Sequence, residues 1–138
     1  MCSRARAAAQ SMRVAVPVVK SGEKYLLVPH FGRAPSFAIA EVEGGGYAVV
    51  EVFENPHAAH EHGRGAALIG ELARRGVSAV LTLGIGHGAF YRIRELGVRV
   101  YYVAPPPGRK AITLEEALDM LLSGRAEEAA EPREAEER

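Results

Sequence analysis

From Arg13 onward the hydrophobic residues come in short blocks separated by glycine, proline and charge, and the spacing inside the blocks changes along the chain. Val14, Ala15, Val16, Val18 and Val19 form a nearly continuous apolar run, the pattern of a strand buried on both faces. Glu23 to Val28, bracketed by Gly22 and Pro29, reads as a short strand or an extended loop. Ser36–Glu43 and Tyr47–Glu54 flank Gly44-Gly45-Gly46 and predict an antiparallel hairpin. Asn55-Pro56 ends it, because proline cannot continue a ladder.

The period then switches. Ala66, Leu68, Ile69, Leu72 and Ala73 recur at helical spacing between Gly65 and Arg75, and Gly76 follows where a left-handed cap is usual. Val77–Ile85 predicts a buried strand, and Ala89–Leu96 a helix with Phe90, Ile93 and Leu96 inward, stopped by Gly97. Val98–Val103 predicts the last strand. Beyond Pro105-Pro106-Pro107, Thr113-Leu114-Glu115-Glu116 is a capping box. The helix it opens buries Leu114, Leu118, Leu121 and Leu122 and ends at Gly124.

The order strand, hairpin, helix, strand, helix, strand, helix predicts an α/β domain with a mixed sheet, its later strands parallel and joined by right-handed crossovers. That domain spans 13–124. Residues 1–12, with Arg4 and Arg6, read as a flexible arm in which Met12 is an alternative start, and 125–138 as a charged tail, solvated helix or disorder.

Charge and composition narrow the function. Lys+Arg and Asp+Glu number 17 each in 138 residues, so the net charge is zero and gives no electrostatic footprint for nucleic acid. No apolar run approaches the roughly 18 residues of a membrane span, so a soluble cytoplasmic protein is expected. The lone cysteine, Cys2, excludes an internal disulfide, a four-cysteine zinc site and a cysteine-held cluster. Metal chemistry must then use histidine or carboxylate. Abundant Glu and Arg with scarce Asn, Gln and Cys resemble a thermophilic surface.

In an open α/β sheet, ligands bind beyond the carboxyl ends of parallel strands, where helix starts offer unpaired N–H groups. Gly84, Gly86, His87 and Gly88 fall there, as does His60-Glu61-His62-Gly63-Arg64-Gly65. The glycine spacing is not the dinucleotide fingerprint. Either these glycines only make tight strand-to-helix turns, or they let backbone approach an anion.

All five histidines, His30, His57, His60, His62 and His87, lie in predicted loops. A helix start disfavours imidazolium and leaves a neutral ring able to ligate metal. His57, His60 and His62 lack a recognised zinc spacing but form a donor set for a divalent ion such as zinc, copper or nickel, for binding or sensing. Arg33 and Arg64 adjoin glycines and read as anion partners or as surface ion pairs. Hydrolytic chemistry fits poorly. The only aspartate, Asp119, is on the last helix, and Glu41, Glu43, Glu51 and Glu54 alternate with apolar residues as on a solvated sheet face.

Taken in order, His30-Phe31-Gly32-Arg33-Ala34-Pro35-Ser36-Phe37, Asn55-Pro56, His62-Gly63-Arg64-Gly65, Leu83-Gly84-Ile85-Gly86 and Gly97-Val98-Arg99-Val100-Tyr101 resemble the dinitrogenase iron–molybdenum cofactor biosynthesis family, which includes NifX and the C-terminal region of NifB. The likeness runs from 13 to 122. It implies an RNase H-like three-layer fold with a mixed five-stranded sheet and helices on both faces. It implies a non-enzymatic protein that binds or carries an iron–sulfur or iron–molybdenum type cluster and works with a cofactor-delivery protein partner.

The implied cofactor-binding set is His30, Gly32, Arg33, His62, Gly63, Arg64, Gly65, Gly84, Gly86 and His87. Its metal donors are His30 and His62, with His87 added although family members often have other residues where this chain has His87-Gly88, while His57 and His60 stand outside the shared pattern. A preassembled cluster brings its own sulfides and needs few protein donors, which suits a chain without usable cysteine. A third reading is a ligand-free interaction module that docks a partner through its last helix and tail.

Overall fold

The computed structural model describes residues 11–55 and 64–133. Strand β1 (Met12–Ser21) turns at Gly22 into β2 (Lys24–Leu27), and β3 (Ser36–Glu43) turns into β4 (Gly46–Glu54). Then come α1 (Arg64–Arg74), β5 (Ala79–Thr82), α2 (His87–Glu95), β6 (Arg99–Tyr102), α3 (Leu114–Leu122) and β7 (Glu127–Glu128). The sheet runs β4-β3-β1-β5-β6-β7, with β2 attached to β1. Pairing is parallel across β1-β5-β6 and antiparallel elsewhere.

Alternation in β1 explains the layers. Val14, Val16 and Val18 point to one face, where they meet Ala38, Ala40, Val42, Leu81 and the α3 residues Leu114, Ala117 and Leu118. Ala15 points to the other, with Phe37, Ile39, Val80, Leu68, Ile69 and Leu72 of α1, and Phe90 and Ile93 of α2. Helices therefore cover both faces of one sheet. Each large side chain buried there, such as Phe37, Ile39, Leu68 or Phe90, contributes about 1.5–3 kcal/mol.

Pro17 lies inside the central strand without breaking it. Its carbonyl accepts from Val28 N at 3.2 Å, and in an antiparallel pair a residue's N and O face the same side. The missing N–H therefore points where β1 leaves β5, paired only at Val14 and Ala15, and meets β2 from Val18 onward, so the loss is confined to one donor, the reciprocal bond toward Val28 O at the end of the β1–β2 ladder. In the second hairpin Glu43 pairs with Gly46 around Gly44 and Gly45, both at positive φ (63° and 85°), which is the two-residue turn that matches strand twist.

The sheet has seven strands where the resemblance implied five. Segment 24–27, left open as strand or loop, is a strand because Gly22 folds it back on β1 and Leu27 N reaches Ile112 O at 3.0 Å. The charged tail contributes the other: Glu127 and Glu128 pair with Tyr102 and Tyr101. The expected apolar faces are buried in part: Val49, Val50 and Val52 of β4 are exposed, and Leu121 and Leu122 of α3 are half-buried. Leu96 caps α2 at 55% exposure, and Ala73 is exposed because it falls on the solvent side of α1. Helix α2 starts at His87 and not at Ala89, since Gly86 in extended geometry serves as its N-cap.

Thr113 caps α3 as its sequence predicts. Its hydroxyl accepts from Glu116 N at 3.1 Å, and Glu116 Oε1 accepts from Thr113 N at 2.9 Å. Arg109 then clamps the same carboxylate through two bonds of 2.6 and 2.8 Å, which with the Thr113 backbone bond pulls the Glu116 pKa down to about 2. Among the described residues no helix is long and apolar enough to cross a membrane.

Candidate functional site

Parallel β1, β5 and β6 send their carboxyl ends to one rim. Antiparallel β3 starts at that rim, with Ser36 opposite Val18, and β4 ends there with Glu54 opposite Ser36. The topology thus brings the 28–35 loop, Asn55, the 83–86 turn and the segment after Val103 to one side of the sheet. His57, His60, His62 and Gly63 lie outside the described residues. Arg64 and Gly65 are the first two residues of α1.

The 28–35 loop is pegged at two points. Phe31 and Ala34 are buried in the core under α1 and α2, and Phe31 meets Phe37 edge-on at 5.3 Å. Phe37 stacks on Phe53 at 6.0 Å, over which the Arg75 guanidinium sits at 3.7 Å. Between the pegs the chain turns outward. Arg33 is exposed, and its Nη2 lies 3.3 Å from Nδ1 of half-buried His30. A guanidinium has only donors, so Nδ1 accepts and a neutral His30 carries its proton on Nε2.

Asn55 fixes this loop from below. The residue is buried, its Nδ2 donates to Gly32 O at 3.2 Å and to Ala34 O at 3.0 Å, and its backbone N donates to Pro35 O at 3.0 Å. Sequence reasoning took Asn55 only as the end of a strand. The available signal was that the chain's single asparagine stands where a hairpin returns to the predicted ligand rim.

The second rim segment follows β5. Buried Thr82 donates its hydroxyl to Gly84 O at 3.0 Å, tightening the turn. Gly86 caps α2 without a side-chain acceptor, so the first-turn N–H groups, at the positive end of the helix dipole, have no acceptor within the helix. Exposed His87 opens the helix and packs edge-on against Tyr91 one turn later, at 4.8 Å. Between the glycines, Ile85 exchanges both main-chain bonds with Arg133, at 2.7 and 3.2 Å.

Of the predicted site residues, then, the structure joins His30 to Arg33, engages the carbonyls of Gly32 and Gly84 in holding their loops, and sets Gly86 and His87 at a helix start. Two of the exposed glutamates of the hairpin are ion-pair partners: Glu41 binds Arg13 at 2.6 Å and Glu51 faces Arg75 at 3.5 Å. Among the described residues no three His, Cys, Asp or Glu side chains group so as to hold a metal ion. The described residues offer the His30–Arg33 pair and a helix start that carries a second imidazole, His87.

Residues 12–124 match the family model described as dinitrogenase iron-molybdenum cofactor. An uncharacterized protein of Methanocaldococcus jannaschii is 30% identical over 116 residues, which cover 84% of this chain and 90% of that protein. The apo form of the orange protein from Desulfovibrio gigas superposes with a TM-score of 0.74 at 28% identity, covering 92% of this chain and 100% of that one. A Thermotoga protein named as a NifB candidate gives a TM-score of 0.66 at 32% identity, covering 85% and 92%. With the model spanning every described strand but β7 and all three helices, the chain belongs to the dinitrogenase iron-molybdenum cofactor family.

Proposed function

We propose that this protein is a non-catalytic cytoplasmic carrier of a preassembled, anionic iron–sulfur or molybdenum-containing cluster, held at the carboxyl rim of an RNase H-like scaffold. The observation that carries this reading is the Arg33–His30 pair on a loop pegged by Phe31, Ala34 and Asn55. In the empty protein Arg33 occupies His30 Nδ1. An arriving anion draws the guanidinium to itself by charge-assisted hydrogen bonds, which frees Nδ1 as a donor to a metal of the cluster. Arg33 thus guards the donor until charge arrives. The open N–H groups of α2 add a second anionic contact, with His87 beside them.

Family membership supports the cargo class. His62 and Arg64 complete the proposed holding set, with Gly32, Gly63, Gly65, Gly84 and Gly86 allowing close approach. His57 and His60 are proposed as accessory donors. A cofactor-delivery protein is the proposed partner.

Anaerobic titration with tetrathiomolybdate and with a preformed iron–sulfur cluster tests this directly. The intact protein should bind at least one of them, and His30→Ala and Arg33→Ala should each weaken binding about tenfold or more, as expected when a charge-assisted contact is lost. Equal binding by all three proteins would overturn the assignment. Uptake of zinc, copper or nickel without sulfide would point instead to the histidine-bound divalent ion.

A further inference from the structure

The C-terminal segment does more than cover an edge. Edge protection of β6 is complete once Glu127 and Glu128 pair with Tyr102 and Tyr101 and Ala129 N reaches Val100 O at 2.8 Å. The chain nevertheless runs on along the sheet. Tyr102 Oη donates to Glu131 O at 2.8 Å, the Arg133 guanidinium lies 4.3 Å over the Tyr102 ring, and Arg133 takes both main-chain groups of Ile85. Ile85 is the middle residue of Gly84-Ile85-Gly86, and it has two hydrogen-bonding partners in Arg133 that a ligand in that turn would need to replace.

We propose that residues 126–133 form a displaceable strap whose docking on Ile85 competes with ligand entry at the glycine turn; this rests on the reading of that turn as part of the carrier site. The strap is built to release. Ala129 is its one buried side chain, its remaining grip is main-chain bonds, the two Tyr102 contacts and the Arg94 Nη1 to Ala129 O bond at 3.2 Å, and of its ion pairs, which join exposed partners, Arg133–Glu127 at 3.3 Å lies within the strap and only Arg99–Glu128 at 3.8 Å ties it to the sheet. A segment with so little buried apolar area opens locally without unfolding the sheet. Coupling is reciprocal: whatever factor the docked strap subtracts from ligand affinity, bound ligand subtracts from strap docking.

Two full-length variants release the strap at opposite ends. Ala129→Asp places a carboxylate in the apolar seat, and Arg133→Pro deletes the N–H that binds Ile85 O. Both are compared with the intact chain by hydrogen exchange at the Ile85 amide and by tetrathiomolybdate titration. The expected result is faster Ile85 exchange, unchanged exchange in β1 and β3, and affinity raised about five- to thirtyfold, the range for a contact of modest strength. Unchanged Ile85 exchange in both variants would overturn the strap, as would faster exchange with unchanged or weakened binding. In the latter case, binding that still depends on His30 and Arg33 leaves the carrier reading standing. If neither the intact chain nor a variant binds tetrathiomolybdate or the preformed iron–sulfur cluster, the carrier reading fails and the gate with it.

Discussion

Replacing Asn55 by alanine isolates the peg beneath the candidate site. The substitution keeps the backbone bond from residue 55 to Pro35 O and removes the amide, with its bonds to Gly32 O and Ala34 O among what it holds. A buried hydrogen bond contributes about 0.5–1.5 kcal/mol net, and a carbonyl left without donor or water costs about 1–3 kcal/mol. Two carbonyls on a loop near solvent fall between these limits, so Asn55→Ala should cost about 2–3 kcal/mol. That is a large share of the roughly 5–15 kcal/mol of a domain this size, and lowers Tm by about 6–15 °C. Urea unfolding at constant m-value measures the loss, and exchange at the Ala34 amide, which bonds Phe31 O at 3.5 Å, reports whether the loop itself has loosened. Asn55→Asp sharpens the test. Its carboxylate would face two carbonyl oxygens, which raises the folded pKa above the unfolded value near 3.9. The deficit should therefore be smallest below that pH and grow as pH rises through the folded pKa. A cost under about 0.5 kcal/mol for Asn55→Ala, or a loss without faster Ala34 exchange, would refute the peg.

Three further outcomes follow from the same geometry. Thr113→Ala should cost about 1 kcal/mol in chemical denaturation and fray the first turn of α3, because it removes the hydroxyl that accepts from Glu116 N. The depressed pKa of Glu116, about 2 against an ordinary 4.5, means that its ion pair stabilises the fold above about pH 4.5 and is lost as pH falls toward 2; stability measured across that window should drop, and Arg109→Ala should flatten the drop. Phe37→Ala should cost about 3–5 kcal/mol by calorimetry, since Phe37 is fully buried and carries both the Phe31 and Phe53 ring contacts.

What could be read from the sequence was the part written in side chains. Thr113 and Glu116 announce their cap, Gly44-Gly45 announces its hairpin, and the switch from period two to helical spacing places all three helices. β7 was illegible for the opposite reason. Glu127-Glu128-Ala129-Ala130 looks like a solvated tail because its attachment to β6 uses main-chain groups and one small side chain. The start of α2 was hidden by Gly86 and Gly88, which lower helix propensity where a glycine N-cap is in fact used. At the site, residue type indicated His30 and Arg33, but their mutual bond and the hold of Asn55 on the loop are tertiary facts with no periodic trace.

The short parallel seam between β1 and β5 bears on the order in which the molecule assembles. β1 through β4 form an antiparallel unit in the order β2-β1-β3-β4, whose paired strands are close in sequence, so each pairing closes only a short loop. β5 meets β1 through Val14–Ala79 and Ala15–Val80, aided by Ser78 N on Arg13 O at 2.8 Å and Arg13 N on the Ser78 hydroxyl at 3.1 Å, contacts some 65 positions apart in the chain. Such contacts bear the full cost of loop closure before they return anything. The antiparallel half can form while the rest of the chain is still open, and β5, α2 and β6 then add to its finished edge. The candidate rim, which draws its loops from both halves, is therefore completed only at that last step, so an immature chain lacks the assembled rim.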